Sequence, residues 1–353
     1  MRERGAAFVE RMWRDRAGAA GHVLSTLLVP AEFAFRGASA LRNRAYARGN
    51  REIVHATVPV VSVGNIAIGG AGKTPFSAFL ARRLADLGHA PALLHGGYAD
   101  DEPLLHRRWN PGVPVYVGRD RVASARAAAD AGASVLIMDD GFQHRRLARD
   151  IDFVLVAAET WTRAPRLLPR GPWREPPSAL RRATAVVVTY RTPLDPRLVR
   201  NEVEHIVPGV PVWIARMTPE RWRRPAVQEQ NDGANVVDSD ASSDARSGAP
   251  AVPALLVAAI AQPDLLAAGA NAAGARIEDV LVFRDHHAYG AADAQRIRVR
   301  AAGRPIVTTA KDWVKLDGLL DPAAVWVLEQ EVRMSEGADA LDRLLAALPV
   351  RHA

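Results

Sequence analysis

Lys73 and Thr74 close a glycine-rich turn, Gly69-Gly-Ala-Gly-Lys-Thr74, and carry the plainest chemistry in the chain. A β-branched run, 58–63, leads into the turn, and an apolar-periodic segment, 76–87, follows it. Strand, glycine-rich turn and helix in that order are the context of a phosphate-binding loop. Gly69, Gly70, Ala71 and Gly72 would let successive backbone N–H groups converge on phosphate oxygens, with the helix N-terminus adding partial positive charge. Lys73 would reach the β- and γ-phosphates, and the Thr74 hydroxyl would ligate magnesium. The usual first glycine of such a loop is replaced here by Ala67.

Acidic residues stand where that loop would need them. Asp139-Asp140-Gly141 ends the apolar run 135–138, the form of a Walker B strand whose carboxylates hold Mg2+ opposite the loop threonine; a plain turn has the same composition. Gln143 and His144 lie just beyond, on the side where open α/β sheets bind ligands. Asp101 and Glu102 follow the strand after the loop helix; a carboxylate there could accept a hydroxyl proton in phosphoryl transfer, or could simply be solvated. Asp285-His286-His287 suits a histidine oriented by a carboxylate better than zinc, because adjacent side chains seldom ligate one ion and cysteine is absent. Arg174 could grip a substrate phosphate with two hydrogen bonds, or pair with Glu175 or another carboxylate.

These residues need a scaffold, and the chain alternates strands and helices to supply it. Short apolar runs at 92–95, 113–117, 135–138, 153–156 and 185–189 read as strands covered on both faces, with a helix over 123–131. The expected fold is an α/β, P-loop NTPase-like core with a mainly parallel sheet, spanning 51–225. Residues 226–250 hold five acidic residues against one arginine, and no aromatic, leucine or isoleucine. They read as a disordered acidic insertion. A second, smaller α/β domain over 251–353 has strands at 254–259, 280–283, 305–308 and 325–328 and a helix at 341–348.

Length and charge agree with two domains and an anionic partner: 353 residues, net charge +7 and no cysteine. The N-terminal 50 residues form a basic helical segment, in which arginines flank an uncharged run of fifteen residues, 17–31. That run is short for a membrane span. With Trp13, Leu24, Leu27, Leu28, Phe33 and Phe35 it suits a helix lying in an anionic leaflet; a buried helical hairpin is the rival reading. Ala38-Ser-Ala40 resembles a signal-peptidase site, but export would part the phosphate loop from its ATP. No recognition motif or basic-aromatic platform supports a nucleic-acid partner.

Taken in order, Val63-Gly-Asn65 with Gly69-Gly-Ala-Gly-Lys-Thr-Pro75, Asp101-Glu-Pro103, Asp139-Asp-Gly-Phe-Gln-His144, Leu168-Pro-Arg-Gly-Pro-Trp-Arg-Glu-Pro176, Asp285-His-His287 and Lys311-Asp312 resemble one family. It is tetraacyldisaccharide 4′-kinase, the lipid A 4′-kinase, and the resemblance runs from about Trp13 to the end apart from 226–250. It implies transfer of the ATP γ-phosphate to the 4′-hydroxyl of a tetraacyldisaccharide 1-phosphate, giving lipid IVA, by a peripheral enzyme on the cytoplasmic face of the bacterial inner membrane. By motif position it implies Asp101 as catalytic carboxylate in a dyad with His286. Glu102, Asp139, Asp140 and His144 would organise magnesium and phosphate, and Arg174 and Glu175 would lie near the transferred phosphate or the lipid headgroup. The residues alone also permit a membrane-surface P-loop ATPase switch with no lipid acceptor. One departure stands out: the family carries a longer segment before its Asp-Glu-Pro, whereas here Asp101 follows His95-Gly-Gly-Tyr-Ala99 almost at once.

Overall fold

The computed structural model of the chain describes residues 8–9, 11–13, 15–97, 101–162, 164–225, 248–260, 263–284 and 287–348. The acidic 226–250 segment, except 248–250, and His286 lie outside the described residues. The elements in chain order are α1 (Gly18–Leu27), α2 (Val29–Ala47), β1 (Val60–Asn65), α3 (Lys73–Asp86), β2 (Pro91–His95), α4 (Asp101–Trp109), β3 (Val115–Val117) and α5 (Arg121–Asp130). There follow β4 (Val135–Asp139), β5 (Ile151–Ala157), β6 (Ala185–Tyr190), α6 (Pro196–Ile206), β7 (Val212–Arg223), β8 (Ala254–Ala258) and α7 (Pro263–Ala272). The series closes with β9 (Ile277–Val282), α8 (Ala291–Ala301), β10 (Ile306–Thr309), α9 (Ala310–Leu316), β11 (Val325–Glu336) and α10 (Ala338–Ala346).

Two compact units emerge. Unit 1 gathers Met1–Gly96, Tyr116–Ala215 and Met334–Ala353, and its strands run in the order β3-β2-β4-β1-β5-β6, followed by the first four residues of β7. The pairs β1–β4, β1–β5, β2–β4 and β5–β6 are all parallel. The apolar runs of β1, β2 and β4 are buried throughout, as strands covered on both faces require. Each such Val, Leu or Ile contributes about 1.5–3 kcal/mol of transfer free energy against the entropy of ordering.

Register then places the chemistry. Val63 of β1 sits beside Asp139 of β4, so the turn after Asn65 and the acidic pair leave the sheet at the same end. Gly64 is required by close approach: a Cβ there would lie 2.6 Å from the Phe142 nitrogen. Any larger residue would therefore push the Asp139-Asp140 turn away from β1.

Unit 2 comprises Gly97–Val115 and Arg216–Arg333, with the parallel strand order β11-β10-β8-β9. Its core collects Leu105 of α4 with Leu255, Val257, Phe283, Ile297, Trp313 and Val327. Thus α4, which carries Asp101 and Glu102, packs with α9 of unit 2, although the sequence reading placed it within 51–225. Leu105 and Trp109, on one side of α4, need apolar neighbours, and unit 2 supplies them.

Candidate active site

Gly69 and Gly72 have φ of 123° and 85°, conformations that a side chain would strain. Gly72 leads directly into α3, and no side chain caps that helix start, so its first N–H groups are left for an anion. The loop is fixed from beneath by Thr189 of β6, fully buried, whose hydroxyl donates to the Ala71 carbonyl at 3.0 Å. From the side, the Ile68 N–H donates to the Pro172 carbonyl at 2.7 Å.

Around the loop lies a compact charge cluster. Lys73 Nζ stands 3.6 Å from Asp140 Oδ1. Arg174 Nη1 donates to both Asp140 oxygens at 3.0 Å and to Gln143 Oε1 at 3.2 Å. Of the partners open to Arg174 on sequence grounds, then, the structure selects Asp140. Asp140 has φ of 52°, and the left-handed turn is one that aspartate tolerates better than most residues. Asp139, 1% exposed, accepts with Oδ1 from the Ser77 hydroxyl at 3.1 Å and from the Asp140 N–H at 3.0 Å. Ser77 lies four residues after Lys73 on α3, so the spacing that sets Lys73 at the loop also sets this hydroxyl on Asp139.

The turn after Asp140 is braced by Arg149. It donates to the carbonyls of Phe142 at 2.9 Å and Gly141 at 3.2 Å and to Asp152 at 3.0 Å. Arg121, itself 2% exposed, donates to the Asp139 carbonyl at 3.0 Å. These cations surround His144, whose Nε2 is buried without a hydrogen-bond partner. Burial first, then Arg121 and Arg149, push the imidazole down to about 4, so it is neutral at pH 7. Because the unfolded value lies near 6.5, the unfolded chain binds a proton between pH 6.5 and about 4 that the folded chain does not. Stability should therefore fall as pH drops through that window and be indifferent to this group above it. Melting curves from pH 7.5 to 4.5 should flatten in His144→Gln; parallel curves for the two proteins would contradict a neutral buried His144.

Glu175 does not face the cluster. It is fully buried and accepts from Arg182 at 2.9 and 3.1 Å, from Asn43 at 2.8 Å and from Gln143 at 3.2 Å. Burial alone would raise its carboxyl, but Arg182, Asn43 and Gln143 together hold it below the usual range. Glu175 thereby pins the chain beside Arg174, whose own side chain is held on Asp140.

Asp101 belongs to a separate cluster in unit 2. It is 3% exposed, with Lys315 Nζ at 3.6 Å and Lys311 Nζ at 3.8 Å. Lys315 also stands 3.9 Å from Asp312, a fully buried carboxylate that accepts from Thr309 Oγ1 at 2.9 Å and from Tyr289 Oη and the Ala259 N–H at 3.1 Å. Burial pushes the Asp312 carboxyl up despite these partners. Burial and the adjacent Asp312 likewise raise the Tyr289 phenol. Lys311 and Lys315 thus set two ammonium groups beside Asp101, and Asp312 ties Lys315 to the unit 2 core. His287 pairs with Asp293 at 3.0 Å and stacks on Phe283, whereas His286 lies outside the described residues.

The donor set can be tested against magnesium. Among the described residues no three His, Cys, Asp or Glu side chains gather into a metal cage. Mg2+ on a nucleotide does not need one, since it takes one or two carboxylates, waters and phosphate oxygens. A buried carboxylate, Asp139, and the Thr74 hydroxyl are hard oxygen donors of that kind. Asp140 is engaged with two cations. The residues fit the ion through Asp139 and Thr74.

Comparison with known proteins gives the same assignment over nearly the whole chain. The sequence profile of LpxK, tetraacyldisaccharide-1-P 4′-kinase, matches residues 24–100 and 99–349. The two stretches overlap at residues 99–100, just before Asp101. The chain is 36% identical to the tetraacyldisaccharide 4′-kinase of Anaeromyxobacter dehalogenans strain 2CP-C, over 95% of this chain and 93% of that protein. It is 33% identical to that of Syntrophus aciditrophicus, over 94% and 96%. A crystal structure of LpxK from Aquifex aeolicus in complex with ATP superposes with a TM-score of 0.69 at 26% identity, covering 91% of this chain and 98% of that one. Site geometry, fold and full-length similarity agree: the chain belongs to the tetraacyldisaccharide-1-P 4′-kinase family.

Proposed function

We infer that this chain transfers the γ-phosphate of ATP to the 4′-hydroxyl of a tetraacyldisaccharide 1-phosphate, giving lipid IVA. The observation that carries the reading is the Lys73–Asp140–Arg174 cluster at an uncapped helix start, in a chain of this kinase family. Backbone N–H groups of 69–74 would cradle the phosphates. Lys73 and Arg174, held ready on Asp140, would exchange that carboxylate for the phosphoryl oxygens as negative charge spreads over them. When bound, magnesium would neutralise phosphate charge, with Asp139 and Thr74 as its protein ligands. His144, kept neutral, and Gln143 would line the same turn. Asp101 would accept the proton of the acceptor hydroxyl, with Lys311 and Lys315 within 4 Å of its carboxylate, Glu102 beside it and His286 as its partner. Glu175 serves by holding the Arg174 loop. The test is whether ATP consumption depends on the lipid. Turnover should rise with acceptor and match product mole for mole, whereas lipid-independent hydrolysis would favour an ATPase switch.

The same reading places the enzyme peripherally on the cytoplasmic face of the inner membrane. No single helix among the described residues is long and apolar enough to cross a bilayer, but α1 and α2 form an apolar pair bent by 49°. Val23, Leu27, Phe33 and Leu41 on this pair are each more than 60% exposed. Such side chains suit the boundary between headgroups and acyl chains, with the flanking arginines on anionic lipid. Replacing all four by serine in the full chain should weaken sedimentation with phosphatidylglycerol vesicles by about tenfold or more. Unchanged sedimentation would return these helices to an ordinary surface role.

A further inference from the structure

The 166–175 loop is held from two directions. Its C-terminal half is bound to the phosphate loop: the Arg174 N–H donates to the Ile66 carbonyl at 2.8 Å, and the Arg174 side chain clamps Asp140. Its N-terminal half is bound to the helices before β1. Trp13 Nε1 donates to the Pro169 carbonyl at 3.0 Å, and Arg170 Nε donates to Ser25 Oγ at 3.3 Å. The centre of this attachment is Glu32 of α2, 7% exposed, an acidic residue in an otherwise apolar turn. Its Oε1 accepts the Leu167 N–H at 2.8 Å, and its Oε2 accepts from Arg170 Nη1 at 3.1 Å. Further along α2, Asn43 donates to Glu175, so one helix grips the loop on both sides of Arg174.

We propose that Glu32 is a positioning residue for phosphoryl transfer: by tying α2 to the loop it fixes Arg174 against Asp140 and Lys73. The proposal rests on the reading of that cluster as the phosphate-handling site. Leu167 is fully buried, so losing Glu32 orphans its N–H and leaves Arg170 without its carboxylate. The loop must then shift to find other partners, and Arg174 shifts with it. Positional errors are severe in such sites, about a hundredfold in rate for 1 Å. The helix pair that carries the exposed apolar side chains is thus also tied to the loop that carries Arg174.

The test compares the full-length protein with Glu32→Gln, Glu32→Ala, Arg170→Met, Arg174→Ala and the Glu32→Ala/Arg174→Ala pair. Transfer is measured in mixed micelles with saturating ATP and acceptor, alongside melting temperature and vesicle sedimentation. Expected is a fall in kcat of about tenfold in Glu32→Ala, a smaller fall in Glu32→Gln and Arg170→Met, and unchanged sedimentation. Because both residues act through one side chain, the double variant should be no slower than Arg174→Ala alone. Multiplying losses in the double variant, or wild-type kcat in a folded Glu32→Ala, would reduce Glu32 to a purely structural residue. Should Glu32→Ala fail to fold, Glu32→Gln and Arg170→Met decide by the same criteria. If Arg174→Ala itself keeps wild-type kcat, the reading of the cluster fails first, and the proposal with it.

Discussion

Lys73→Ala should lower the transfer rate by about a hundred- to a thousandfold, the loss found when one preorganised donor to a developing oxyanion is removed. The Lys73 ammonium lies 3.6 Å from Asp140, on the first residue of a helix whose N-terminus has no side-chain cap. When phosphate enters, the ammonium must leave or share that carboxylate, and the gain is greatest when charge on the transferred group is greatest. Removing it costs little in folding, because Arg174 remains on Asp140 through both oxygens. Melting temperature should therefore stay near wild type while kcat collapses. Retention of transfer within a few-fold of wild type by a folded Lys73→Ala protein would remove the phosphate-loop reading altogether.

Asp101→Asn should cost about a hundred- to ten-thousandfold in kcat, the usual contribution of general acid–base catalysis, while leaving ATP affinity close to wild type. An amide keeps the volume of the carboxylate but cannot take a proton. The substitution also leaves Lys315 and Lys311 facing a neutral group in a site where Asp101 is 3% exposed. Lys315 keeps Asp312 at 3.9 Å, so the loss of one carboxylate from this cluster should lower the melting temperature only modestly, and the rate must be read below it. Lys315→Met separates the two effects, since it removes one ammonium and keeps the base. A fall in kcat with unchanged nucleotide binding in Asp101→Asn supports the base; wild-type transfer in the folded variant would remove Asp101 from the chemistry.

Much of this was legible in residue order. The strands of both units are continuous apolar runs bounded by turns, and their burial made them readable. β7 was not: it carries Arg216 and Pro219, and proline weakens a strand signal. α4 was hidden for another reason, because its apolar side is completed by residues some 150 to 220 positions later in unit 2. In the site, phosphate loop and acidic pair were readable because strand register joins them. Arg174 was ambiguous, since several carboxylates were plausible partners and only the fold brings Asp140 within reach. Lys311 and Lys315 gave no sign of serving Asp101, more than 200 residues earlier. Glu32, the first charge after the uncharged run 17–31, gave no sign of its partners, which lie in a loop some 135 residues away.

The most direct measurement of the central claim follows a labelled γ-phosphate. Wild-type protein is incubated with magnesium, ATP labelled in its γ-phosphate and a tetraacyldisaccharide 1-phosphate, and the lipid is analysed by mass and by phosphorus NMR. The expected result is one added phosphate carrying the label, on the 4′-oxygen, with one ADP formed per lipid converted. Label recovered only as inorganic phosphate, with the lipid unchanged, would contradict it.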